Sequence, residues 1–170
     1  MNVAADSTNI VLEGPDGGGK SSLAVVVSGL TGMRIQQGSG PPRGPGEMER
    51  RLSHYLTMRG VIFDRHPAVS QPIYGQLRWE SQSTEFSALV DQFYDARDTI
   101  FVYCRSTDAA RHVVKPGEDP AHVEVLTRRY HDLVQAYDRW ASQHAHLLFR
   151  VGDDPLDVAS VISNALARRR

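Results

Sequence analysis

Gly14-Pro15-Asp16-Gly17-Gly18-Gly19-Lys20-Ser21 is the stretch whose reading decides the fold. It matches G-x-x-x-x-G-K-[ST], a pattern whose parts have separate physical jobs. Glycines let backbone N–H groups turn inward around phosphates without side-chain obstruction. The helix that follows directs free donors and the positive end of its dipole at the same anion. Lys20 reaches the β- and γ-phosphates, and the Ser21 hydroxyl, followed by Ser22, helps to hold Mg²⁺. Lys20 is one of only two lysines in the chain, the other being Lys115.

Outward from this turn the context fits. Asn9 to Glu13 is an apolar strand, and Ser21 to Leu30 reads as a helix closed by Gly32. That strand–turn–helix setting argues against a chance glycine-rich turn, and G-x-G-x-x-G is absent, which removes the dinucleotide fingerprint. Met33 to Gln36 is a short second strand, and Gly38 to Gly46 (GSGPPRGPG) reads as a functional loop or linker. Glu47 to Met58 is a charged helix and Val61 to Asp64 a buried strand. Phe86, Leu89, Val90, Phe93 and Tyr94 follow helical spacing, so this stripe is core. Thr99 to Cys104 is the most strand-like run, and a long helical stretch from Ala121 to Gln143 leads to a last strand, His146 to Val151. Asp154 caps a final helix with Pro155 in its first turn. Strand–helix alternation throughout 170 residues predicts one α/β domain, residues 1–170, with a parallel sheet covered by helices on both faces.

A second constellation lies at the carboxyl end of the Val61–Asp64 strand, where open α/β sheets bind ligands. Asp64 can orient Mg²⁺ or accept a proton, and Arg65 can stabilise a migrating phosphoryl group. His66 beside them reads as a positioning residue. Residues 34 to 79 hold seven arginines against three acids, a net of +4 in a chain whose formal charge is -1. An anionic partner suits that segment. Within it Arg43 and Arg50 are candidate contacts to acceptor phosphates, with Arg51 turned to solvent, and Tyr74 is a candidate to stack on a base. Trp79 reads as core. His144 and His146 have no third ligand in view, so no metal site is expected there.

Composition is that of an ordinary globular chain, 41% hydrophobic and 23% charged. No apolar run is long enough to cross a bilayer, and residues 1–8 lack a signal-peptide pattern. The single cysteine, Cys104, cannot form an intramolecular disulfide, so a reducing cytoplasm (the host's, if the source is viral) is the expected compartment.

The sequence resembles the thymidylate kinase-like group of P-loop kinases. Val11 to Ser22 resembles that group's E-G-x-D-G-x-G-K-[ST]-[ST] opening. Asp64-Arg65-His66 followed by Ser70 and Tyr74 resembles its D-R-[HYF]…S…Y segment, and Asp154 to Leu166 its final acid-proline-leucine helix. The resemblance implies a P-loop kinase fold with a five-stranded parallel sheet. It also implies ATP and Mg²⁺ as cosubstrates and a pyrimidine nucleotide as acceptor, and leaves a homodimer open. Two departures stand out. Only one helix and the GSGPPRGPG loop fill the interval before Asp64, and the lid is thin, with Arg111, Lys115, Arg128 and Arg129 as its candidate cations.

A reduced acceptor and lid region leaves that side open. The composite resembles a bacteriophage branch that phosphorylates 5-hydroxymethyluracil within DNA. A phosphate acceptor needs no general base, whereas an alcohol must lose a proton. Asp64 is the favoured base, with Glu13 or Asp16 as its support or as a water-mediated Mg²⁺ ligand. The expected site is therefore catalytic Lys20, Asp64, Arg65 and Glu13. Gly14 to Ser22 and Arg111 would hold the nucleotide, and Ser21 with Asp64 the metal. Asp16, Arg43, Arg50, His66, Ser70 and Tyr74 would meet the acceptor. The competing readings are a deoxynucleoside monophosphate kinase and a nucleotide-binding switch without an acceptor.

Overall fold

A computed structural model describes residues 7–38, 40, 42–78, 80–96, 98–107 and 116–169. Trp79 and the expected lid residues Arg111 and Lys115 lie outside these, as do Ser39 and Pro41 of the GSGPPRGPG loop. Among the described residues five strands form one parallel sheet: β1 (Asn9–Glu13), β2 (Arg34–Gln37), β3 (Val61–Asp64), β4 (Thr99–Arg105) and β5 (Leu147–Arg150), in the order β2-β3-β1-β4-β5. The helices are α1 (Lys20–Thr31), α2 (Glu47–Thr57), α3 (Pro67–Leu77), α4 (Thr84–Asp95), α5 (Pro120–Arg128), α6 (Tyr130–His144) and α7 (Pro155–Arg168).

Alternation along the central strands builds two cores. Ile10, Leu12 and Ile62 pack with Leu23 and Val27 of α1 and Ala159 and Ile162 of α7 on one face. Val11 and Phe63 pack on the other face with Leu52 and Tyr55 of α2, Phe86 and Phe93 of α4, and Leu133 and Tyr137 of α6. Phe86 and Phe93 are buried, with Leu89, Val90 and Tyr94 packed beside them, as the helical spacing predicts. The strand order reverses at β1 and β3, and the helices that leave them, α1 and α3, go to opposite faces. A crevice therefore opens between the carboxyl ends of β1 and β3, at Glu13–Gly14 and Asp64–Arg65.

Two helical features depart from expectation. The sequence reading contains no helix after Asp64-Arg65-His66, yet α3 starts there. Pro67 occupies its first turn, the His66 ring nitrogen accepts from Ala68 N–H at 3.2 Å, and Pro72 is carried inside it. The long stretch from Ala121 to Gln143 is two helices broken at Arg129, whose guanidinium reaches back to the Leu77 carbonyl at 2.7 Å. Among the described residues no helix is long and apolar enough to cross a membrane.

Candidate active site

The phosphate cradle is built from the end of β1 and the start of α1. Gly14 has φ +150°, and a Cβ there would stand 2.0 Å from the Cys104 carbonyl oxygen; one at Gly18 would stand 2.3 Å from it. Strand β4 thus lies directly against the loop, and only glycine fits at both points. No side chain caps α1, whose N-cap is Gly19, so its first N–H groups are left for an anion. Lys20 is 7% exposed and donates to the carbonyls of Gly14 (2.9 Å) and Pro15 (2.6 Å). Burial, and after it the Arg65 guanidinium, lowers the Lys20 pKa to about 8.

Across the crevice, the Ser21 hydroxyl donates to Asp64 Oδ2 at 2.5 Å. This hydroxyl–carboxylate pair supplies hard oxygen donors suited to Mg²⁺, which ordinarily keeps several waters and is completed by substrate phosphates. A dedicated cage is therefore not needed. Among the described residues no cluster of three or more His, Cys, Asp or Glu offers a separate metal site, and none forms around His144 and His146.

Arg65 follows with φ +75°, a left-handed backbone that a non-glycine side chain rarely adopts. Its guanidinium donates to Asp16 Oδ1 (2.7 Å) and to the Tyr137 hydroxyl (3.0 Å), and lies 5.4 Å from the centre of the Tyr74 ring. Asp16, Lys20, Ser21, Asp64, Arg65 and Tyr74 all line one cavity of about 590 Å³, within the range of nucleotide-sized pockets. Its far half is walled by Arg51 and Tyr55 of α2, by Ser70, Gln71, Tyr74 and Arg78 on and beside α3, and by His122 and Leu126 of α5. Lys20, Arg51, Arg65 and Arg78 outnumber Asp16, Asp64 and Glu118 in this lining, so the cavity favours anions.

No protein-family model matches the sequence, and no curated protein sequence is significantly similar to it. Solved structures do match. The YorR protein of Bacillus subtilis, in complex with phosphorylated GDP, superposes with TM-score 0.69 at 18% identity, over 94% of this chain and 96% of its own. Deoxyadenosine kinase of M. mycoides matches at TM-score 0.53 and 16% identity, over 96% and 100%. Shikimate kinase of Acinetobacter baumannii matches at TM-score 0.53 and 16% identity, over 96% and 95%. The fold is that of the P-loop kinases. The parallel sheet and the helices on both faces agree with the sequence expectation.

Within this P-loop kinase fold several expected site residues sit elsewhere. Glu13 is fully buried and does not line the cavity. It shares the strand face of Val11, so its carboxylate enters the core, where it accepts from His66 N–H (2.6 Å) and the Tyr137 hydroxyl (3.1 Å). His66 is 1% exposed, stacked on Phe93 at 4.2 Å, and burial pushes its pKa down to about 3. It shapes α3 and is closed to an acceptor. Arg43 and Arg50 are exposed and outside the cavity, whereas Arg51 is inside, held by Glu47 and by the Gly40 carbonyl at 2.6 Å. Arg51 falls three residues after Met48 and four before Tyr55, on the buried face of α2, a spacing the sequence already carries. The basic segment is also not one surface. Arg34 begins β2 and Arg59 precedes β3, so both lie at the amino ends of the strands, away from the site at their carboxyl ends. Tyr130 and Tyr137 of α6, whose hydroxyls reach the Asp16 carbonyl and Arg65, were not expected at all.

Proposed function

We propose that this chain is a P-loop kinase that transfers the γ-phosphoryl group of ATP, with Mg²⁺, to the 5-hydroxymethyl group of hydroxymethyluracil in DNA. The observation that supports transfer is the convergence of Lys20, the Ser21–Asp64 pair and Arg65 on one cavity at the switch point of the sheet. Backbone donors of Gly14 to Gly19 and the N-terminus of α1 would hold the triphosphate, and Lys20 would leave its carbonyl partners for phosphate oxygens. Ser21 and Asp64 would hold Mg²⁺, which offsets phosphate charge when bound. Arg65, already aimed by Asp16 and Tyr137, would meet the migrating group. Asp64 would take the proton of an alcohol. In the far half of the cavity Tyr74, Ser70 and Gln71 would face the base. Exposed Arg43 and Arg50, outside the cavity on the approach to α2 and on α2 itself, would meet the phosphates of a continuing strand.

One observation favours a second reading. Arg51 and Arg78 both stand inside the cavity, two cations suited to the single phosphate of a deoxynucleoside monophosphate. Labelled ATP offered in parallel with hydroxymethyluracil DNA, dTMP and hydroxymethyl-dUMP decides between them. Label in the DNA is expected; label confined to a mononucleotide would establish the second reading, and hydrolysis without transfer would overturn both. Each phosphate contact weakens DNA binding by roughly 0.7–0.9 log units per tenfold salt. Replacing Arg43 and Arg50 by alanine is therefore expected to lower that slope by about 1.4–1.8 while leaving mononucleotide binding unchanged. An unaltered slope would remove both residues from the acceptor site.

The lowered Lys20 pKa gives a pH dependence. The triphosphate prefers the charged amine, which is present below about 8 in the free protein. Nucleotide affinity should be flat below that pH and weaken by up to about tenfold per unit above it, until the higher pKa of the bound state is reached. Titration of a fluorescent ATP analogue over about pH 7 to 9.5 measures this, and a constant Kd would contradict it.

A further inference from the structure

Tyr137 belongs to α6, far along the chain from the cradle, and is fully buried. Its hydroxyl has one proton and here has two partners. It accepts from Arg65 Nη1 at 3.0 Å and donates to Glu13 Oε2 at 3.1 Å, while Glu13 Oε1 accepts from His66 N–H at 2.6 Å. The chain of contacts therefore closes on the peptide unit that follows Arg65, the residue whose φ is +75°. Such a backbone persists only where its surroundings over-determine it. The Arg65 N–H donates to the Leu12 carbonyl at 3.1 Å, the Glu13 carboxylate holds the next N–H, and Tyr137 ties that carboxylate to the guanidinium. Asp16 takes the other nitrogen, Nη2, and lies in the cradle itself. Burial pushes the Glu13 pKa up, opposed first by the Arg65 guanidinium and then by the hydrogen bonds from His66 and Tyr137.

We infer that Tyr137 is a positioning residue for Arg65, fixing the guanidinium that meets the migrating phosphoryl group, an inference that rests on the phosphoryl-transfer reading above. Phenylalanine at this position keeps the ring and its packing but neither accepts from Arg65 nor donates to Glu13. Asp16 and the Tyr74 ring then remain beside the cation, but the hydroxyl that fixed Nη1 is gone and the guanidinium is held less tightly.

The test compares wild type, Tyr137→Phe and Tyr103→Phe. The Tyr103 hydroxyl donates to Asp138 at 2.7 Å, and its ring stacks on Tyr137 at 6.5 Å, so it serves as a matched control away from Arg65. With active sites counted by nucleotide titration, Tyr137→Phe is expected to lower kcat roughly 10- to 100-fold and leave the KM for ATP within about threefold. Tyr103→Phe is expected to retain wild-type kcat. A purely structural role would lower the active fraction and Tm without changing kcat per active site, and that result would overturn the inference. The second readout needs no acceptor. The Arg65 guanidinium resonance, assigned by its loss in Arg65→Lys, should be resolved and slowly exchanging in wild type and in Tyr103→Phe, but averaged in Tyr137→Phe. An unchanged resonance in Tyr137→Phe would overturn the inference too. If wild type phosphorylates no acceptor, the kinase reading fails by itself, and the resonance still decides whether Tyr137 holds Arg65.

Discussion

Replacing Lys20 with alanine is expected to lower kcat by roughly 10²–10³-fold and to weaken ATP binding, while leaving Tm unchanged or higher. The loss follows from position. Lys20 is the first residue of α1 and the one ammonium group in the cradle, where it would balance charge developing between the β- and γ-phosphates. The stability sign follows from burial. Because the folded pKa is depressed to about 8 from the ordinary 10.5, the charged amine costs the fold stability at neutral pH, and that cost fades as pH rises between the two values. Alanine removes it, which offsets the loss of the two hydrogen bonds to the Gly14 and Pro15 carbonyls. Transfer of labelled phosphate and a thermal melt of the same preparation test the two halves. Near wild-type turnover in the alanine variant would remove Lys20, and with it the phosphate-cradle reading, from the mechanism.

What was legible in the sequence was whatever a local signal carries. Strands β1 and β3 have the bounds that their apolar runs indicate, and α7 begins at the Asp154–Pro155 cap, with the Asp154 side chain accepting from Leu156 N–H. Helix α3 was hidden by Pro72 and Gly75, two residues that ordinarily argue against a helix, although Pro67 in its first turn was a usable start signal. The break at Arg129 has no glycine or proline to mark it; it is held by a tertiary contact to Leu77, which no window of sequence contains. The same division runs through the site. Gly14 to Ser21, Asp64 and Arg65 are contiguous motifs, and from them Asp16, Gly17, Gly19, Lys20, Ser21, Asp64 and Arg65 line one cavity. Glu13 is part of the same motif, yet strand alternation turns it away from the cavity and into the core. Tyr130 and Tyr137 lie more than 100 residues from the groups they touch at Asp16 and Glu13. Only packing of α6 across the sheet could have revealed them.

Asp64→Asn is expected to reduce kcat for an alcohol acceptor on the order of 10²–10⁴-fold while changing metal-free ATP affinity little. Asparagine is nearly isosteric and can still accept from Ser21, so the pairing now seen at 2.5 Å is kept in outline. The backbone anchor is untouched as well, since the Asp64 carbonyl accepts from Gly38 N–H at 2.9 Å. What is lost is negative charge and basicity, and these serve different steps. If Asp64 acts only through the metal, raising Mg²⁺ should restore much of the rate, and transfer to a phosphate acceptor should suffer as much as transfer to an alcohol. If it also takes the acceptor proton, added Mg²⁺ leaves a residual defect confined to the alcohol. A phosphate oxygen is already ionised and needs no base, so dTMP provides the internal reference. The ratio of the two defects, measured on hydroxymethyluracil DNA and on dTMP with the same variant, therefore reports the base role separately from the metal role. An unchanged kcat on both acceptors would take Asp64 out of the chemistry. Suspicion would then pass to Asp16, which is the other aspartate in the cavity lining and is paired with Arg65 at 2.7 Å.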